Sequence, residues 1–293
     1  MAFRLKHRAI ARELRRLVRN ELDAAIKRLE AVTGEPDIHR VRKSIKKVRA
    51  IVKLLRAPLG SSYATENARL RAAGVALAPL RDADAMLQTV EALCGRYPNA
   101  LVPALKEDIS HELQRRRRDV RRRSRAMTGQ ALRKLELSRE TLPGRIADAG
   151  EWPSVRSGLV RVYKRSRSTL AGLKVQSSPV AFHAWRRRVK EHWYHVRLFE
   201  AQHSEPRARA RRLKELESAL GDAHNLALLG KILREKPDRF GGGRTTAIVL
   251  GCIEKRQRAF RRQALMVGHR MFASKPRKFG KTIAPWWHRR AGA

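Results

Sequence analysis

Acidic residues are scarce in this chain of 293 residues, with 27 Asp and Glu against 67 Lys and Arg, a net charge of +40. Such a molecule repels itself unless an anion is near, which narrows the partner to a polyanion: a nucleic acid, an anionic membrane surface or a phosphate polymer. Cys94 and Cys252 are isolated thiols, with no CxxC pair to suggest a disulfide framework or a zinc site, and a cytoplasmic home is expected. No apolar run approaches the roughly eighteen residues of a membrane span. Aromatics are only 5%, few for a protein that stacks bases. Strand alternation is absent, and no GxxxxGK[ST] loop prepares a phosphate cradle, so Gly241-Gly242-Gly243 reads as a loop tip.

What is present is helical periodicity. Between Ile38 and Leu55 the apolar residues Ile38, Val41, Ile45, Val48, Val52 and Leu55 are spaced 3, 4, 3, 4 and 3 apart, one seam of an α-helix facing a core. Beside it runs a second seam, His39, Arg42, Lys46, Arg49 and Lys53, with no acid in the whole segment. A solvated face normally mixes signs, because like charges at these spacings repel. The pattern recurs from Phe182 to Phe199, where a shift of 144 sets His183 on His39, Arg186 on Arg42, Arg187 on Lys43 and Lys190 on Lys46. Arg197 continues that row, and Trp193 stands where Arg49 would be.

The remaining helices echo one another too. A basic opening that resembles a transit peptide continues into a regular first helix, about 8–31, which stops at Thr33-Gly34-Glu35-Pro36 with Asp37 as the next cap. A third helix, about 64–93, is interrupted at Pro79, and a fourth covers about 101–127. In the second half, 155–174 matches the first helix, setting Arg161 on Arg16 and Lys164 on Arg19. Segments 206–234 and 245–272 match the third and fourth at a shift of 140, which pairs Arg118 with Arg258 and Arg122 with Arg262. The expected fold is all-α: two pseudo-symmetric antiparallel four-helix bundles from an internal duplication, 1–142 and 154–273, with a linker at 143–153 and a basic tail at 274–293.

The two copies of His-x-x-(Arg)-(Lys/Arg)-x-x-Lys, at 39–46 and 183–190, together with Leu80-Arg81-Asp82-Ala83-Asp84 and its degenerate partner at 220–224, resemble the CHAD family, whose name refers to a histidine-bearing α-helical domain. The opening MAFRLK is similar to family starts as well. The resemblance implies paired four-helix bundles and binding of inorganic polyphosphate, often in storage granules.

The residues support that reading independently. A long polyanion without base edges calls for repeated Lys and Arg on a rigid track, where Arg grips phosphate oxygens in pairs and Lys acts as a point charge. The expected track is Arg16, Arg19, His39, Arg42, Lys43, Lys46, Arg49, Lys53, Arg118 and Arg122, with Arg161, Lys164, His183, Arg186, Arg187, Lys190, Arg197, Arg258 and Arg262 in the second half. His39 and His183 suit hydrogen bonding to phosphate oxygens better than metal ligation, which lacks partners, or nucleophilic catalysis, which lacks an orienting group; a structural bond to a neighbouring helix is the other reading. Asp82, Asp84 and Asp222 offer Mg²⁺ ligands for phosphoryl transfer, but pairing with the Arg rows is favoured. The expectation is therefore a non-enzyme without cofactor or metal, with non-specific nucleic-acid binding as the alternative.

Overall fold

The computed structural model describes residues 3–6, 9–31, 37–147, 151–201 and 203–288. All regular elements among them are helical: α1 (Ile10–Glu30), α2 (Ile38–Leu54), α3 (Ser62–Ala76), α4 (Ala78–Arg96), α5 (Pro103–Arg122), α6 (Ser124–Ala147), α7 (Trp152–Ala171), α8 (Pro179–Arg197), α9 (Ser204–Glu235), a 3-10 turn (Pro237–Phe240), α10 (Gly242–Met271), α11 (Pro276–Thr282) and α12 (Pro285–His288). Residues 32–36, where the first helix was expected to stop, and Gly150 lie outside the described residues, but Asp37 does cap α2, accepting from the Arg40 amide at 2.9 Å. Ser178 caps α8 in the same way, accepting from the Ala181 amide at 3.2 Å.

Two parts of the chain differ from the sequence expectation. The fourth helix ends at Arg122, and 124–147, expected as a weak connection leading into a linker from 143, is the 24-residue α6 with Pro143 inside it. Its residues Ala131, Leu135, Leu142 and Ile146 are fully buried between α1 and α3, and that burial outweighs the one backbone bond a late proline removes. The expected basic tail is instead largely part of the fold, because Phe279, Ile283 and Trp286, spaced 4 and 3, are inserted into the core. Phe279 stacks on Tyr163 of α7 at 4.0 Å between ring centres. Pro79 breaks the third helix as expected: α3 ends at Ala76 and α4 begins at Ala78, whereas α9 in the second half runs unbroken for 32 residues.

The apolar interior divides into two cores. The larger draws on α1, α2, α3 and α6 together with α7, α8, the first part of α9 and the end of α10. The smaller joins α4 and α5 to the distal parts of α9 and α10. Both cores thus take residues from both halves of the sequence. Where α7 crosses the end of α2, a Cβ at Gly158 would stand 2.2 Å from the Leu54 carbonyl oxygen, so only glycine permits this approach. The consequence for function is positional: α2 and α8 pack against each other, with their cationic seams on a common side.

Candidate anion-binding cleft

The apolar seam of α2 is buried as its spacing requires, with Val41, Ile45, Val48 and Val52 at most 2% exposed. That fixes the rotation of the helix and turns Arg42, Lys46, Arg49 and Lys53 toward α8. On α8, Phe182, Trp185, Val189 and Val196 are anchored in the same core, and Arg186, Arg187 and Lys190 face back. Between the two rows lies a cleft of about 460 Å³ lined, among the described residues, by ten lysines and arginines and only two carboxylates, Asp82 and Glu191. A smaller space of about 140 Å³ adjoins it, sharing Arg42, Lys46, Arg186 and Lys190 and adding His39 and Lys43.

Most of these cations are half-buried, with their stems packed and their heads held in place. Arg42 Nη1 donates to the Gly74 carbonyl and Arg49 Nη2 to Asn67 Oδ1 at 3.2 Å. Lys53 Nζ donates to Glu191 Oε2 at 2.7 Å. On the opposite wall Glu217, from α9, takes Lys190 directly, Lys214 at 3.1 Å and Arg186 at 3.7 Å. Burial alone would raise the Glu217 carboxyl, but these cations bring it down to about 2. Arg161, expected on the track, donates instead to the Lys53 and Leu54 carbonyls and so closes the C-terminus of α2.

Lys46 differs from Lys53 and Lys190. It has no ion pair among the described residues, and burial, then Lys190, Arg42 and Arg186, push its amine down to about 6. The histidines are lowered as well: His39 by burial and then Arg81, His183 by burial and then Arg186. His183 Nδ1 lies 3.2 Å from Nδ1 of His224, which burial and the adjacent Arg186 hold at about 3. Both rings are therefore neutral near pH 7. His224 occupies the place of Asp84 in the first half, so the imidazole pair has no counterpart there.

Of the expected track, His39, Arg42, Lys43, Lys46, Arg49, Lys53, His183, Arg186, Arg187 and Lys190 come together. Arg16 is bound to Glu13, at 3.0 and 2.7 Å, and Arg197 sits over the Trp193 ring at 5.0 Å with Glu200 at 3.7 Å. Arg19, Lys164, Arg118, Arg122 and Arg262 are exposed on α1, α7, α5 and α10 outside the cleft, and Arg258 borders a separate groove beside the start of α8. Helical spacing aligned these residues within their own helices but carried no information on which helix faces which. Arg71, Arg81 and Arg188 also line the cleft and lie outside the two seams. Arg81 belongs to the Leu80-Arg81-Asp82-Ala83-Asp84 stretch, the one signal in the sequence that sets it apart from other surface arginines. Asp84 is held by Arg117 at 2.7 Å and Arg121 at 3.3 Å, and Asp82 by Arg81 at 3.1 Å, the pairing favoured over Mg²⁺.

No group of three His, Cys, Asp or Glu side chains is placed to hold a metal among the described residues, and none of their helices is long and apolar enough to cross a membrane. The sequence model of the CHAD domain family matches residues 8–234. The chain belongs to the CHAD domain family. The match takes in both histidine helices and ends at the close of α9, before α10. Among solved structures, the CHAD domain from the plant Ricinus communis superposes with a TM-score of 0.61 at 17% identity, over 91% of this chain and 90% of that one. PptA from Streptomyces chartreusis gives 0.60 at 16% identity, over 91% and 98%. At such identities the likeness concerns the fold. No curated protein sequence matches.

Proposed function

We propose that this CHAD domain binds inorganic polyphosphate, without turning it over, in the cleft between α2 and α8. The observation that carries the reading is the convergence of two cationic rows, from helices far apart in sequence, on one cleft with ten basic side chains and two acids. A polymer with one charge per unit and no other feature is matched by such a row, whose heads are already positioned and so lose little freedom on binding. Membership of the family, whose resemblance implies polyphosphate binding, supports the same ligand. Asp82 and Asp84 are engaged by arginines, which favours a positioning role for them over one in phosphoryl transfer. The two rows are read as copies from a duplicated ancestor, and the working place as the cytoplasm, on polyphosphate granules.

Nucleic acid fits the cleft less well. The rings at its walls, Tyr194 and Trp193, are 2% and 8% exposed and offer no face on which a base could stack. The test is competition at about 150 mM salt. Polyphosphate displaces single- and double-stranded DNA at matched phosphate concentration if the reading holds, and DNA or RNA displacing polyphosphate would overturn it.

A further inference from the structure

Three lysines face the cleft from α2 and α8, and they are not equivalent. Lys53 is paired with Glu191 and Lys190 with Glu217. Lys46 is the residue that matches Lys190 in the first half, yet the position matching Glu217 at the shift of 140 is Leu77, a fully buried apolar residue between α3 and α4. The carboxylate that neutralises one lysine is thus missing for the other. Lys46 borders both the main cleft and the adjoining space, so a ligand entering either meets its amine.

The groups around it are overwhelmingly cationic. Its own helix contributes Arg42 and Arg49, with His39 and Lys43 on the side of the smaller space. From α8 come Arg186, Lys190 and His183, with Glu191 already bound by Lys53. The connection and helix on the third side bring Arg71 from α3 and Arg81 with Asp82 from α4, where Asp82 is held by Arg81. From α9, Glu217 is shared among Lys190, Lys214 and Arg186, and His224 is bound to His183. From α1, Glu21 is taken by Ser44 and Lys47, and α7 offers Arg161. A charged Lys46 in this half-buried space would face cations and, among the described residues, only carboxylates already engaged by other basic side chains, and an uncharged amine is the state such surroundings favour.

We propose that Lys46 is a neutral amine while the cleft is empty and takes up a proton when a phosphate chain enters, so that binding of the polyanion is coupled to proton uptake. The inference rests on the reading of the cleft as a polyphosphate site. The phosphate charges would supply the counter-charge that Leu77 does not, turning a repulsive position into a charge-assisted contact. Because the ligand-bound form holds the extra proton, affinity falls as pH rises from near the free amine's midpoint of about 6. With a bound-state midpoint above about 9, the fall from pH 6.5 to 8 is about 20-fold from this one group.

Titration calorimetry of the full chain with long-chain polyphosphate, in two buffers of different ionisation enthalpy at about pH 7.5, reads the protons taken up on the order of one per site. Lys46→Arg carries a permanent charge and Lys46→Met carries none, so either variant should lose that proton and flatten the pH dependence while the histidines remain common to all three proteins. Wild-type binding without proton uptake would overturn the inference and leave the polyphosphate reading intact. So would uptake equal to wild type in both variants. Failure of wild type to bind polyphosphate would remove the reading itself and this inference with it.

Discussion

Position should outweigh charge count, and two quadruple variants that remove the same number of positives separate the two. The first, Arg42→Ala, Lys46→Ala, Arg49→Ala and Arg187→Ala, strips cations from the cleft without orphaning Glu191 or Glu217. The second, Arg118→Ala, Arg122→Ala, Arg258→Ala and Arg262→Ala, removes four exposed arginines outside it. A charge-assisted hydrogen bond to phosphate is worth roughly 1.5–3 kcal/mol, so four summed without coupling give about 6–12 kcal/mol. Neighbours in one row are not independent, and a loss of at least about 3 kcal/mol, over 100-fold in affinity, is the expectation for the cleft variant. The exposed set acts across water and salt, where each charge is worth a few tenths of a kcal/mol and the total stays near tenfold. Salt titrations of polyphosphate binding supply a second reading. If the polymer behaves as other single-stranded polyanions, losing four contacts lowers the slope of log affinity against log salt by about 3. Equal losses of affinity and slope from the two variants would reduce the cleft to a patch of general positive charge.

Glu217→Gln releases Lys190, Lys214 and Arg186 from their shared carboxylate, so polyphosphate binds several-fold more tightly while the ligand-free protein melts lower; calorimetry and thermal unfolding read both. The Glu217 carboxyl is held at about 2, below its unfolded value near 4.3, so its stabilisation is complete above that unfolded value and is lost as pH falls toward 2, a component of acid unfolding that Glu217→Gln removes. Gly158→Ala drives a Cβ into the Leu54 carbonyl, a backbone group at the crossing of α7 with α2, and should destabilise the fold by about 1–3 kcal/mol in denaturant titration. His39→Ala with His183→Ala changes binding little at pH 7.5, because both rings are already neutral there; the effect grows only well below pH 6.5, since burial and the nearby Arg81 and Arg186 lower both rings.

The sequence carried the helices and the faces they bury, because a 3–4 spacing is a local property. Val41, Ile45, Val48 and Val52 fix the rotation of α2, and the same residues fix where Arg42 and Lys46 point. What it could not carry was adjacency. Arg118 and Arg258 repeat at the same shift as the rest of their helices, yet they lie outside the cleft, while Arg71 and Arg188, on neither seam, line it. The misreadings of α6 and of the tail have another origin. Ala131, Leu135, Leu142 and Ile146, and likewise Phe279, Ile283 and Trp286, have helical spacing, but Pro143-Gly144 and a run of basic residues weighed more than a few apolar positions did. A proline near the end of a helix loses little, and a basic stretch packs if its few large apolar side chains find a core.

The acids of this protein are few, and their placement shapes the cleft as much as the cations do. Glu191 and Glu217 lie 7% and 4% exposed beneath the second row, where each aligns several positive heads that would otherwise repel. Burial lowers both Lys53 and Lys190, the carboxylates oppose that loss of charge, and those lysines are partly satisfied before any ligand arrives. The first row has no such support at Lys46, and its repulsion is relieved only by losing a proton or by gaining an anion. A pair of seams alike in sequence thus becomes unequal in chemistry: the wall with Glu217 is preorganised and already partly neutralised, and the wall with Lys46 has the most to gain from a phosphate chain.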